Sequence, residues 1–110
     1  MERFIKGDVV VVPFPFSDLT QAKRRPALVV SLLEGHDVIL CQITSKTVQD
    51  QYAIALDDRD FTIGGLNQPS NIRPNRIFTA DQSIILYVAG RVNEAKVSEV
   101  IKKLIDILVN

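Results

Sequence analysis

The chain has 110 residues, which is enough for one domain (residues 1–110) with a single proper core. Apolar residues make up 46% and charged residues 24%, as in soluble globular proteins, and no apolar run approaches the ~20 residues that span a bilayer. Since the N-terminus lacks the apolar segment of a secretion signal, we expect a cytoplasmic protein with no membrane partner. The formal net charge is zero, so any nucleic-acid site must be local.

Cysteine and histidine are too scarce for a disulfide or a zinc site. Cys41 is the only cysteine and lies in the apolar run 38–43, where we predict a packed thiol. One cysteine and one histidine cannot supply the usual zinc ligands, so no metal is expected.

The first half of the chain predicts three strands. Residues 9–12 are four consecutive valines, which favour a buried strand. Two prolines follow and are predicted to end its ladder, because proline has no backbone N–H. A loop is predicted from 13 to 23, and long loops in small domains are often functional. Strands 26–32 and 38–43 are predicted to form a hairpin around the turn 34–37.

The second half predicts more short strands and one helix. Residues 51–56 alternate polar and apolar, 72–79 form a strand disturbed by Pro74, and 84–88 fit a short strand or a helix. The segments between them are expected to be connections. Asn93 is a good N-cap for an amphipathic helix whose apolar side chains recur at three- and four-residue steps, namely Val97, Ile101, Leu104 and Leu108. We therefore predict a mainly β fold, a strongly bent sheet or barrel, with a C-terminal helix (α+β).

Several segments resemble the MazF/PemK toxin family. Residues 7–12 and 23–31 are similar to the family's opening strand and to its second strand, which starts with Arg-Pro. Residues 42–45 are similar to the end of the strand that carries the family's threonine. Residues 71–73, residues 90–92 and the helix that follows resemble the family's C-terminal part. Their order and spacing carry the resemblance across nearly the whole chain.

The resemblance implies an SH3-like barrel, a homodimer and a sequence-selective endoribonuclease that needs no cofactor. It implies single-stranded RNA as substrate, a cognate antitoxin as partner, and operator DNA as a target of the toxin–antitoxin complex. The family's catalytic arginine and threonine fall on Arg25 and Thr44. One segment departs from the pattern: many relatives carry Gly-Ser-Glu-Gln before the arginine, whereas residues 19–22 here contain no glutamate.

The implied chemistry is consistent with these residue types. A guanidinium at position 25 can grip two phosphate oxygens, and the hydroxyl of Thr44 can donate to the same group. Ser45 is an alternative hydroxyl, but neighbouring strand residues face opposite sides. A guanidinium is a poor proton acceptor, and His36 lies in the hairpin turn away from this pair. Asp18, in the loop, is a candidate for a substitute base; the alternative is an enzyme that relies on positioning and charge alone.

Further RNA contacts have competing structural explanations. Lys23 and Arg24 are either phosphate-positioning groups or solvated charges. Phe16, together with Phe14 and Phe61, can stack on bases or pack in a core or dimer interface. Arg73 begins a second polar and basic segment, which either contacts RNA or forms a surface turn; its other members are Asn71, Asn75 and Arg76.

Two other functions stay open at this point. One is an inactive relative that only binds an antitoxin or nucleic acid. The other is a small barrel adaptor that binds peptides in an apolar groove formed by Phe14 and Phe16. Growth arrest on induced expression separates the adaptor from the toxin.

Overall fold

The computed structural model describes residues 4–14 and 23–110. In this part of the chain the elements are, in order, strands β1 (Asp8–Phe14), β2 (Lys23–Leu32), β3 (Asp37–Thr44), β4 (Ile54–Leu56), β5 (Phe61–Gly64), β6 (Ser70–Asp81) and β7 (Tyr87–Val92), then helix α1 (Glu94–Val109). Single 3₁₀ turns precede β5 and β7. None of these helices is long and apolar enough to cross a membrane.

All strand pairs are antiparallel and form one curled sheet in the order β4-β6-β3-β2-β1-β7-β5. The sheet is a half-barrel that carries one C-terminal helix, so the predicted mainly β, α+β fold is confirmed. Strands β2 and β3 form the predicted hairpin at its centre.

The sheet buries side chains on both faces. On the helix side, Val100 of α1 is fully buried against residues such as Leu28 and Ile72. On the other side, Val10, Val29 and Leu40 lie in a second cluster whose partly buried members include Phe78. Because alternate residues of a strand face opposite sides, the buried apolar runs of β1 and β2 serve both clusters.

Helix α1 begins as predicted, and the side chain of Asn93 accepts a hydrogen bond from the backbone N–H of Lys96 at 2.8 Å. The buried part of the apolar stripe is shorter than predicted, because Leu108, near the end of α1, is 73% exposed. Lys96 does not face solvent. Its Nζ donates to the carbonyl oxygen of Ala55 at 2.9 Å and lies 3.6 Å from Asp60, which ties the helix to the β4–β5 connection.

Three prolines lie inside strands, namely Pro13, Pro26 and Pro74, and Pro13 is contrary to the expectation that it ends the ladder of β1. Pro13 pairs with Arg24, and this is allowed because β7 stops pairing with β1 at Val11, which leaves an open edge there. Pro74 lies where the β3–β6 register shifts, since Gln42 pairs with Arg73 but Cys41 pairs with Ile77. The residues between form a bulge, where a missing N–H costs no ladder hydrogen bond.

Candidate active site

The register of the central hairpin brings the start of β2 beside the end of β3. Ala27 pairs with Gln42 at the last printed position of the β2–β3 register, and Arg25 and Thr44 each lie two residues beyond it, on β2 and β3. On the next strand Gln42 pairs with Arg73. Since directly paired residues share a face of the sheet, these side chains are presented on one side.

A cleft of about 190 Å³ opens at these strand ends. Sites for drug-sized ligands span roughly 300–1,000 Å³, so this cleft suits a smaller group such as a phosphodiester with part of its sugars. Its lining contains both members of the predicted catalytic pair, and the complete set is Val12, Phe14, Arg25, Pro26, Ala27, Gln42, Ile43, Thr44, Lys46, Arg73 and Phe78.

The hydroxyl of Thr44 is oriented by the backbone. Its Oγ1 accepts a hydrogen bond from the N–H of Lys46 at 3.1 Å. Because the oxygen already accepts there, the hydroxyl proton is directed elsewhere and is available to donate. The turn after β3 is tied to β6, because Nδ2 of Asn71 donates to the carbonyl oxygen of Lys46 at 3.4 Å.

The guanidinium of Arg73 is held by an ion pair with Asp50. Its Nη2 donates to Oδ2 of Asp50 at 3.1 Å, while Oδ1 of Asp50 accepts from the backbone N–H groups of Tyr52 and Ala53. Desolvation acts to raise the pKa of Asp50, but the hydrogen bonds from Tyr52, Arg73 and Ala53 outweigh it and lower that pKa below its ordinary value. Asp50 is therefore ionised at neutral pH, and the ion pair is fixed.

The cleft is a local concentration of positive charge. Arg25, Lys46 and Arg73 line it, and none of its lining residues in the described part of the chain is Asp or Glu. This local charge favours binding of an anion in a chain whose formal net charge is zero. Among residues 4–14 and 23–110, no three His, Cys, Asp or Glu side chains come together as metal ligands would.

A second cleft, of about 290 Å³, adjoins the first, and Arg25 and Thr44 line both. Arg24 and Ser45 line only the second one, together with residues of the 66–70 segment. Thr44 and Ser45 therefore both line the second cleft, while only Thr44 also lines the first, and Ser45 lies just after the end of β3.

The remaining predicted residues fall in different places. Lys23 is exposed at the start of β2 and pairs with Phe14, but it lines neither cleft. Phe14 lines the first cleft, with its ring centroid 5.9 Å from that of Phe78. Phe61 packs against the helix-side core, which is the structural alternative for that residue. His36 lies roughly 25 Å along β3 from Thr44, at the far end of the hairpin.

Phe16, Asp18 and the segment 19–22 lie outside the described residues. Sequence reasoning did not assign Gln42, Lys46 or Asp50 to the site. Gln42 enters it through the register of three strands, and Lys46 and Asp50 through the connection after β3. The one local signal was Asp50 itself, since an aspartate that caps the following backbone is typical of a turn.

Residues 5–108 match the sequence model of the family of PemK-like, MazF-like toxins of type II toxin–antitoxin systems. The chain belongs to this family, so the resemblance seen in the sequence is confirmed. No curated protein sequence gives a significant match.

Solved structures share the fold at low sequence identity. An endoribonuclease from a mycobacterial species, in complex with its cognate antitoxin, aligns with a TM-score of 0.74 at 17% identity over 96% of this chain and 95% of that one. A second mycobacterial endoribonuclease gives 0.73 at 20% identity, over 98% and 93%. The Mycobacterium tuberculosis toxin MazF-mt6 gives 0.70 at 14% identity, over 90% and 93%.

Proposed function

We propose that this chain is an endoribonuclease toxin that cleaves single-stranded RNA at a phosphodiester bound between Arg25 and Thr44. The observation that carries the proposal is that these two residues, one from each strand of the central hairpin, line one positively charged cleft of phosphodiester size. Membership of the toxin family and the activity of the structural neighbours support it.

The reaction is an in-line transfer to the neighbouring hydroxyl. The 2′-oxygen of the ribose loses its proton and attacks phosphorus, the bond from phosphorus to the 5′-oxygen breaks, and the leaving oxygen takes up a proton. The products are a 2′,3′-cyclic phosphate and a free 5′-hydroxyl. No metal is required in this scheme.

Arg25 would stabilise the charge that develops on the phosphorane. A guanidinium grips two oxygens in its plane, and loss of one preorganised donor of this kind typically lowers the rate on the order of 100- to 1000-fold. Thr44 would donate a hydrogen bond from its hydroxyl to the phosphorane, since its oxygen already accepts a hydrogen bond from the backbone N–H of Lys46. Asp18 is the carboxylate we propose as the base, and Arg24, Lys23, Ser45, Phe16 and Arg73 would bind the flanking RNA.

Partners of the protein follow from its family. We propose a cognate antitoxin that neutralises the toxin, a homodimer, and operator DNA bound by the toxin–antitoxin complex. The mycobacterial endoribonuclease solved with its antitoxin supports the first of these partners.

Incubation with a long single-stranded RNA in EDTA tests the activity. We expect wild-type protein to give fragments with cyclic-phosphate and 5′-hydroxyl ends, and Arg25→Ala to give on the order of 100-fold less. Equal cleavage by both proteins would remove Arg25 from the mechanism. No cleavage by the wild type, with normal growth on induced expression, would favour an inactive relative or a peptide adaptor.

A further inference from the structure

The leaving 5′-oxygen must take up a proton, because an alkoxide leaves phosphorus far less readily than an alcohol does. The ionisable side chains that line either cleft, within the described part of the chain, are Arg24, Arg25, Lys46 and Arg73. A guanidinium does not give up its proton in proteins, whereas a lysine ammonium does so in general acid–base catalysis. Lys46 is therefore the described lining residue with the chemistry of a proton donor.

The ammonium of Lys46 is available to a ligand in the first cleft. The residue is exposed, and its side chain makes no hydrogen bond or ion pair with any other residue in the ranges 4–14 and 23–110. Arg73, by contrast, is already engaged by the carboxylate of Asp50. Because no Asp or Glu lines the cleft in these ranges, no carboxylate there competes with a phosphodiester for Lys46.

Two hydrogen bonds fix the backbone of Lys46 beside Thr44. The N–H of Lys46 donates to Oγ1 of Thr44 at 3.1 Å, and its carbonyl oxygen accepts from Nδ2 of Asn71 at 3.4 Å. The main chain is thus set relative to both β3 and β6, while the side chain is a flexible four-carbon stem. The ammonium therefore starts from a fixed point next to the hydroxyl that would bind the scissile phosphate.

We propose that Lys46 is a catalytic residue that protonates the 5′-oxygen as the bond from phosphorus to that oxygen breaks. This inference rests on the proposed function. The proton passes from Nζ to the oxygen, which keeps the electron pair of the broken bond, and the neutral amine is then reprotonated by water. Lys46 lines the first cleft but not the second, so the leaving nucleoside occupies the first. The nucleoside with the 2′-hydroxyl, on the opposite side of phosphorus, occupies the second.

A sulfur atom in place of the 5′-oxygen at the cut tests the proton transfer, because a thiolate leaves without protonation. The cut site is mapped with wild-type protein, and single-turnover rates are then measured on ordinary RNA and on the sulfur-substituted RNA. We expect Lys46→Ala to cut ordinary RNA about 100-fold more slowly than the wild type, and the sulfur-substituted RNA within about threefold of the wild-type rate. A loss of equal size on both substrates would overturn the assignment, since a merely structural role slows both.

Lys46→Arg separates proton donation from positive charge. The guanidinium keeps the charge at the cleft but does not give up a proton, so we expect this variant to cut ordinary RNA within about fivefold of the rate of Lys46→Ala. A rate for Lys46→Arg close to that of the wild type would overturn the proposal, because charge alone would then suffice. Lys102→Ala is the matched control: Lys102 is an exposed lysine of α1 that lines neither cleft, and its loss should leave both rates unchanged.

Chemical rescue guards against a variant that is merely misfolded. Lys46→Cys, alkylated with 2-bromoethylamine, regains a primary ammonium, and Cys41 is fully buried and therefore reacts slowly. We expect alkylation to raise the rate on ordinary RNA at least about tenfold, and no gain would count against Lys46 as the donor. Failure of the nuclease proposal gives a different pattern. A wild type that cuts neither substrate overturns the nuclease, whereas a wild type that cuts both, with equal losses in the variants, overturns only the role of Lys46.

Discussion

The carboxylate of Asp8 is 1% exposed and accepts a hydrogen bond from Nε of Arg91 at 2.9 Å, which joins the start of β1 to the end of β7. Its other oxygen accepts from the backbone N–H of Ile5. We expect Asp8→Ala to lower the free energy of unfolding by roughly 1–3 kcal/mol, because two donors lose their buried acceptor. Urea denaturation measures the change. Glu34→Ala, in an exposed turn, is the control and should alter stability by less than about 0.5 kcal/mol; an equal loss in both variants would contradict the role of Asp8.

The close approach of β5 and β7 requires glycine at position 64. Gly64 has a φ of +66°, and a Cβ atom there would lie 2.2 Å from the carbonyl oxygen of Ala89. Gly35 also has a positive φ, but a Cβ atom there meets nothing within 4 Å. We expect Gly35→Ala to lower the free energy of unfolding by about 1 kcal/mol, from backbone strain alone, and Gly64→Ala to lower it by at least about 2 kcal/mol. Thermal denaturation measures both changes. Equal losses of stability in the two variants would contradict the close packing of β5 against β7.

The thiol of Cys41 is fully buried, as its apolar run predicted. Burial raises the pKa of Cys41 from 9.0 to about 12. We therefore expect a thiol-specific reagent at pH 8 to modify the native protein far more slowly than the urea-unfolded protein. Rapid modification under native conditions would show that the strand opens locally.

The same burial has a consequence for stability at high pH. Above pH 9 the unfolded chain loses a proton that the folded chain keeps, so the contribution of the neutral Cys41 thiol to stability falls as the pH rises toward 12. Cys41→Ala should show a shallower fall in stability between pH 9 and 11 than the wild type. An identical slope in both proteins would contradict the burial of an un-ionised thiol.

The sequence predicted the elements that have a strong local signal. The central hairpin and α1 stand close to their predicted bounds, because β-branched runs and the Asn93 cap act locally. Strand β5 was missed, since Phe61–Gly64 is short and is stabilised by pairing with β7 rather than by its own residues. The segment 51–56 yielded only the strand Ile54–Leu56, because its beginning forms the turn that Asp50 caps.

The site was predictable only in part. Arg25 and Thr44 were predicted from the resemblance to a family, and the pairing of β2 with β3 explains why both residues line one cleft. Gln42 and Lys46 have no motif that marks them. The link between Asp50 and Arg73 joins residues 23 positions apart across a bulged strand pair, which no local pattern encodes.

A double-mutant cycle of single-turnover RNA cleavage tests most directly whether Arg25 and Thr44 act on one phosphate. The proteins are wild type, Arg25→Ala, Thr44→Val and the double variant, all assayed in EDTA. Groups that act together give non-additive losses, so we predict that the double variant is at most about tenfold slower than Arg25→Ala alone. Losses that multiply in full, or a rate for Arg25→Ala equal to that of the wild type, would contradict the shared site.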